Sequence, residues 1–165
     1  MCIRDRALAK NAPESHVVLG ELDEGALRIC RQNIRRNDLT GRVAAMQMDA
    51  LEKPPVHLGE FDAIVSNPPY IPDGDIAGLD VSVRDYEPHL ALKGGEDGLD
   101  FYRLLTEKYR DAVRPGGWLV LEIGYAQGPA VLALGAACGW VNTSCRKDYG
   151  GNDRAVLLQK PEKSC

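Results

Sequence analysis

The fold is decided by Phe61-Asp62-Ala63-Ile64-Val65-Ser66-Asn67-Pro68-Pro69-Tyr70, an apolar run that ends in a Pro-rich turn. Its first six residues are typical of a buried strand. The two prolines fix φ at about −65° and remove two backbone N–H groups, so the turn is stiff and its carbonyl oxygens stay available. Asn67 adds a side-chain acceptor and Tyr70 a flat face. An ordinary strand-closing turn is the alternative, but this combination favours a site for a planar, nitrogen-containing group.

Strands and helices alternate along the rest of the chain, which is the pattern of a parallel α/β sheet. Asp23 is placed to cap a helix that ends near Asn37 and carries Ala26, Leu27, Cys30 and Ile34 on one apolar face. Residues 72–95 are irregular and too long for a simple connection, so we expect a lid or binding loop there. Pro115-Gly116-Gly117 is expected to end the helix before it. The predicted strands are 16–20, 43–48, 61–66, 118–123, and a final hairpin-like pair, 141–146 and 155–159; helices follow Asp23 and span 98–113 and 127–138.

Composition argues against several classes of protein. The 165 residues fit one domain, no apolar stretch is long enough for a membrane span, and the charged start is unlike a signal peptide. Five scattered cysteines without a CxxC pair indicate reduced thiols in a cytoplasmic protein. The three histidines share no ligand spacing, which predicts no metal site. A net charge of −4, with no basic run beyond Arg35-Arg36, argues against nucleic acid as a partner.

Polar residues follow three successive predicted strands. Ligands of open α/β sheets bind beyond the carboxyl ends of the strands. Glu21 follows the first strand and can accept hydrogen bonds from both hydroxyls of a ribose. Asp49, beside Ala50, follows the second and can accept one from the amino group of an adenine. Asn67 follows the third. A single acid at a strand end is usually a cap or a solvated loop residue, but three polar residues in register predict a cofactor site.

Further motifs follow one another along the chain. They are Gly20-Glu21-Leu22-Asp23, Asn67-Pro68-Pro69-Tyr70-Ile71, Tyr86-Glu87-Pro88, Gly94-Gly95-Glu96-Asp97-Gly98, Pro115-Gly116-Gly117, Leu121-Glu122-Ile123-Gly124 with Gln127, and Asp148-Tyr149-Gly150 with Asp153-Arg154. In this order they resemble the bacterial release factor glutamine methyltransferases, a family of protein N5-glutamine methyltransferases. Asn-Pro-Pro-Tyr is shared with DNA adenine methyltransferases, whereas the Glu-Pro and Gly-Gly-Glu-Asp-Gly motifs make the match narrow.

The resemblance implies an α/β, Rossmann-like class I fold and S-adenosylmethionine as the methyl donor. It also implies class I peptide-chain release factors as partners, no direct contact with nucleic acid or membrane, and a monomer. The acceptors of the turn would bind the two N–H groups of the substrate amide, and the tyrosine ring would pack against it. The expected catalytic residues are Asn67, Pro68 and Tyr70; the cofactor-binding residues are Glu21, Asp49, Ala50 and Asn67; the substrate-binding residues are Asn67, Pro68, Pro69, Tyr70 and Glu87.

Two departures from the family pattern bear on these expectations. The ribose-binding acid of the family is typically Asp, and Glu21 is one methylene longer. The family's catalytic domain begins with a strand and a Gly-rich loop, and residues 7–10 resemble the helix after that loop. We therefore expect a sheet that lacks its first strand and Gly-rich loop, and weak or no cofactor binding by this chain alone. The expected organisation is a non-matching start at 1–6, a partial methyltransferase catalytic domain at 7–160 and a polar tail at 161–165.

Two other functions remain open at this point. An adenine-N6 methyltransferase acting on DNA or RNA would use the same turn, although the acidic charge and the lack of a recognition domain argue against it. A catalytically silent fragment that only binds its partner would carry the same motifs.

Overall fold

The computed structural model describes residues 3–163, and the chain divides into two compact units, Met1–Glu52 and Lys53–Cys165. The predicted start at 1–6 and tail at 161–165 fall partly outside the described residues, at positions 1, 2, 164 and 165. Over the described range, no helix combines the length and apolar character that a membrane crossing requires.

The first unit is a two-stranded parallel sheet with helices packed against it. Asp23 caps the second helix, because its carboxylate accepts a hydrogen bond from the Ala26 N–H at 2.7 Å. Leu27, Cys30 and Ile34 recur at helical spacing and are buried, which confirms the predicted apolar face. The elements are α1 (Ile3–Asn11), β1 (Val17–Glu21), α2 (Glu24–Arg36) and β2 (Val43–Gln47).

The second unit is a mixed α/β sheet with three α-helices in its described range, 53–163. Its elements are β3 (Phe61–Ser66), α3 (Val81–Arg84), α4 (Asp100–Lys108), β4 (Val113–Glu122), α5 (Gly128–Ala137), β5 (Val141–Lys147) and β6 (Asp153–Gln159). The strand order is β3-β4-β6-β5, with β3 parallel to β4 and the other neighbours antiparallel. The predicted hairpin-like pair of final strands is thus confirmed. Among residues 3–163, β3 pairs only with β4, and Asp62, Ala63 and Val65 are exposed, so the prediction that this strand is buried is wrong.

The core of the second unit is centred on β4. Leu119, Leu121 and Ile123 alternate along this strand and are fully buried, as the apolar pattern predicts. Tyr102 and Leu105 of α4 pack into the same cluster. The carboxyl end of β4 is therefore held by a buried apolar cluster.

Pro115-Gly116-Gly117 does not end a helix, and that prediction is wrong. The helix α4 ends earlier, at Lys108, and the three residues lie inside β4. Gly116 adopts a φ of +74°, which residues other than glycine rarely tolerate. Its N–H donates to the Lys160 carbonyl at 3.0 Å. The register between β3 and β4 shifts at the same place. The motif is therefore a bulge that keeps the strand paired on both sides.

The irregular segment at 72–95 is confirmed. It contains α3, which is four residues long, and short 3-10 turns at Asp73–Gly78 and His89–Ala91. A bridge between Ile71 and Lys93 brings its two ends together. The segment is therefore a closed loop that leaves the turn after β3 and returns to it.

Candidate functional site

The first half of the Asn-Pro-Pro-Tyr turn presents two acceptors. Asn67 is exposed, and Pro68 behind it is buried. Within residues 3–163, neither the Asn67 side-chain oxygen nor the Pro68 carbonyl oxygen accepts a hydrogen bond. Both atoms consequently keep an acceptor capacity that no internal contact uses.

The second half of the turn is anchored. Tyr70 is half-buried and packs against the core of the second unit. The Ile71 N–H donates to the Leu92 carbonyl at 3.1 Å, and the Gly94 N–H donates to the Ile71 carbonyl at 2.8 Å. The returning end of the 72–95 loop thus fixes the position at which the turn leaves the strand.

Gln127, at the start of α5, joins three backbone segments through one side chain. Its Nε2 donates to the Tyr70 carbonyl at 2.9 Å and to the Gly98 carbonyl at 3.1 Å. Its Oε1 accepts from the Gly124 N–H at 2.9 Å. Two carbonyls need donors and one N–H needs an acceptor, so only this orientation of the amide satisfies all three groups. The sequence placed Gln127 in a family motif but gave it no role.

Glycines allow the close approach of these segments. A Cβ atom on Gly98, whose φ is +75°, would lie 2.5 Å from the Tyr70 carbonyl oxygen and 2.8 Å from the Gln127 Nε2. A Cβ atom on Gly94 would lie 2.8 Å from the Tyr70 Cα. The outer glycines of the Gly-Gly-Glu-Asp-Gly motif are therefore required by packing against the turn.

A tyrosine hydroxyl lies beneath this arrangement. The Tyr102 hydroxyl donates to the Glu122 carbonyl at 2.9 Å and reaches the Gln127 Oε1 at 3.4 Å. Burial raises the pKa of Tyr102 well above its usual value of 10.0, and repulsion from the oxygens of Tyr70 and Glu122 raises it further. Tyr102 therefore stays protonated and acts as a donor that holds the end of β4.

Glu87 lies exposed on the irregular loop, after α3. Within the described residues, Glu87 forms no ion pair with Arg84, three positions before it. Arg84 instead pairs with its neighbour Asp85, with Nε 2.7 Å from Oδ1. Adjacent residues form this pair at little entropic cost, because few backbone angles separate them. A contact between Glu87 and substrate stays a prediction.

The acids predicted to bind cofactor lie at one edge of the first unit. The Met48 N–H donates to the Glu21 carbonyl at 3.0 Å, which holds the ends of β1 and β2 together. The Glu21 Oε1 accepts from the Asp23 N–H at 3.1 Å. The Asp49 Oδ1 accepts from the Leu51 N–H at 2.9 Å, and Ala50 between them is half-buried. Glu21 and Asp49 thus lie at the ends of two neighbouring strands, while their role toward a cofactor stays a prediction.

The motif between β5 and β6 has a local structural role. Asp148 accepts hydrogen bonds from the Asn152 N–H at 3.0 Å and the Gly150 N–H at 2.9 Å, and it pairs with Arg154 at 3.2 Å. These contacts, the hydrogen bond from Asn152 foremost, lower the pKa of Asp148. Arg154 also donates to the Ile123 carbonyl at 3.4 Å, so the hairpin turn is tied to the end of β4.

Comparison with known proteins identifies methyltransferases that are similar to this chain. Residues 6–81 match the model of the family "Methyltransferase small domain". The chain is 41% identical over 150 residues to the release factor glutamine methyltransferase of Geobacter sulfurreducens, covering 91% of this chain and 51% of that protein. It is 42% identical over 158 residues to the enzyme of the same name from Moorella thermoacetica, covering 95% and 55%. The chain thus spans about half the length of the curated relatives it matches.

Solved structures establish the fold. The crystal structure of a methyltransferase from Pyrococcus furiosus superposes with a TM-score of 0.66 at 21% identity, covering 94% of this chain and 68% of that one. The predicted Rossmann-like class I methyltransferase fold is therefore confirmed.

Proposed function

Because the chain belongs to the release factor glutamine methyltransferase family, we propose that it supplies the substrate-binding part of a protein-glutamine methyltransferase. The substrate is the glutamine of the Gly-Gly-Gln motif in class I release factors, methylated on its side-chain amide nitrogen. The names of the relatives support the substrate, and a release factor as partner places the reaction in the cytoplasm.

The observation that carries the proposal is the pair of acceptors on Asn67 and Pro68. A primary amide has two N–H groups, and the proposal assigns one acceptor to each of them. An amide nitrogen is a weak nucleophile, because its lone pair is delocalised into the carbonyl. Two hydrogen bonds orient the nitrogen and stabilise the positive charge that develops on it during methyl transfer. Tyr70 lies next in the turn and packs against the amide plane or the glutamine stem.

S-adenosylmethionine, when bound, supplies an electrophilic methyl group on a sulfonium. The residues at the end of the first unit's sheet fit this cofactor in chemistry, since Glu21 and Asp49 bring carboxylate acceptors for the ribose hydroxyls and the adenine amino group. With the cofactor bound, the amide nitrogen would take the methyl group, and the sulfonium sulfur would keep the electron pair of the broken carbon–sulfur bond. The proton leaves the nitrogen afterwards to water, so the turn needs no general base.

The test is a methyl-transfer assay with labelled S-adenosylmethionine. It uses this chain and a chimera that restores the part of the Geobacter sulfurreducens relative that the chain does not cover. The offered substrates are a class I release factor, the same factor with its Gly-Gly-Gln glutamine changed to asparagine, and duplex DNA. We expect label in the first substrate only. Label in DNA alone would overturn the proposal in favour of adenine methylation.

A calorimetric titration separates an enzyme from a silent fragment. Submillimolar binding of S-adenosylmethionine to the chimera, together with release factor labelling, is expected. The opposite outcome is a chimera that binds the release factor but neither binds S-adenosylmethionine nor transfers its methyl group. It would show that the chain only binds its partner.

A further inference from the structure

We propose that Gln127 is a positioning residue whose side-chain amide sets the orientation of the Asn-Pro-Pro-Tyr turn for methyl transfer. The proposal rests on the proposed function for its activity readout. Gln127 touches neither acceptor. It acts through the Tyr70 carbonyl, three residues beyond Asn67, and fixes the anchored half of the turn relative to the ends of β4 and the 94–98 loop.

The geometry leaves little tolerance for another side chain. The Nε2 of Gln127 lies between the Tyr70 and Gly98 carbonyls at 2.9 and 3.1 Å, and the Oε1 lies 2.9 Å from the Gly124 nitrogen. Both donors and the acceptor of the amide are used. A glutamate has the same shape but places a carboxylate oxygen against two carbonyl oxygens, so it converts two attractions into repulsions while keeping the contact to Gly124.

The expected consequence is a displaced turn in a folded protein. A displacement of about 1 Å in a substrate-positioning group lowers a rate roughly 100-fold. Because the acceptors themselves remain, the loss belongs in kcat, with the KM for S-adenosylmethionine changing less than about threefold. Gln127→Met, which removes all three bonds at similar volume, is expected to give a loss of the same order.

Gln159 provides a matched control at the opposite end of the same sheet. Its Nε2 donates to the Gly116 carbonyl at 2.9 Å, and its Oε1 accepts from Asn142 at 2.6 Å. Gln159→Glu therefore breaks an equivalent bond to a backbone carbonyl without touching the turn. It is expected to lower Tm less than Gln127→Glu, since one carbonyl contact is lost rather than two, and to leave kcat within about threefold of the parent.

A pH profile distinguishes positioning from a loss of stability. Two facing carbonyls raise the pKa of a glutamate at position 127, and its protonated form regains one donor. The activity of Gln127→Glu relative to the parent is therefore expected to rise as pH falls from 8 to 6, by about tenfold. The same ratio for Gln127→Met is expected to stay constant over this range.

The experiment has two parts, so that the positioning role of Gln127 is tested even if the proposed function is wrong. In the chimera, kcat and KM are measured for the parent and the three variants from pH 6 to 8. In the 165-residue chain, hydrogen exchange of the Ile71 and Gly94 amides is measured, which needs no activity. Exchange about tenfold faster in Gln127→Glu than in Gln159→Glu, with the kcat loss, is the expected result. The positioning role is overturned if Gln127→Glu and Gln159→Glu give equal exchange of these amides or equal kcat. If the parent chimera is inactive, only the proposed function is overturned, and the exchange measurement still decides the positioning role.

Discussion

The turn after β3 and the loop after β2 both begin with a polar residue at a strand end, but different contacts hold them. The loop uses its own neighbours: Asp49 accepts from the Leu51 N–H, and the Glu52 N–H donates to the Asp49 carbonyl at 3.1 Å. The turn uses Gln127, 57 positions beyond Tyr70. Distant substitutions should therefore alter the turn and spare the loop.

The largest expected effect comes from Asn67→Ala, which tests whether the first half of the turn stabilises the transition state of methyl transfer. Loss of one oriented acceptor costs about 2–4 kcal/mol of transition-state stabilisation. This corresponds to a fall of roughly 30- to 1000-fold in kcat/KM of the chimera. Because Asn67 is exposed, the urea midpoint should not move. A kcat/KM close to that of the parent would remove Asn67 from the mechanism.

Gly98→Ala tests the anchored half of the turn. An alanine at this position would have a strained backbone, because φ is +75°, and its Cβ atom would overlap the Tyr70 carbonyl oxygen at 2.5 Å. We expect a loss of about 2–4 kcal/mol in the free energy of unfolding, measured in urea. Gly74→Ala is the control, since no atom lies within 4 Å of its Cβ position. If both substitutions cost the same, the close approach of the loop to the turn is not what stabilises the region.

Tyr102→Phe tests the support beneath the turn through pH. The folded-state pKa of Tyr102 is raised above the ordinary value of 10.0, so the folded form holds its proton while the unfolded form loses it. Stability from this residue is complete below pH 10 and is lost as pH rises above it. The parent should lose about 1.4 kcal/mol per pH unit more than Tyr102→Phe in that alkaline range. Parallel unfolding curves for the two proteins between pH 10 and 11 would contradict the assignment.

Asp49→Ala gives the smallest expected effect and completes the comparison. Removing the bond to the Leu51 N–H should cost about 0.5–1.5 kcal/mol of unfolding free energy. Hydrogen exchange of the Ile71 amide should not change, because this amide is held by the Leu92 carbonyl. Faster exchange at Ile71 in this variant would contradict a purely local role for Asp49.

Local signals made much of the fold predictable. The strand at 61–66, the cap at Asp23 and the buried face of α2 each depend on residues close together in sequence, and the structure confirms all three. The predicted burial of the strand depends on distant neighbours, and it is wrong because β3 exposes Val65. The turn itself stands where the sequence predicts it. Its chemical role, like those of Glu21, Asp49 and Glu87, stays a prediction.

Signals that depend on distant partners were misread or missed. Pro115-Gly116-Gly117 has the composition of a helix stop, and only its pairing with the Lys160 carbonyl shows it to be a bulge. Gln127 has no local feature that marks it, because its three partners come from three separate segments.

The position of Gln127 also determines when the turn acquires its final form during synthesis. A ribosome adds about 5–20 residues per second, so the 57 positions from Tyr70 to Gln127 take roughly 3 to 11 seconds. During that interval the nascent chain displays its Asn-Pro-Pro-Tyr segment without the amide that fixes it. The residue that makes the last contact of the turn is thus translated well after the turn itself. The turn reaches its final conformation only when the start of α5 has formed.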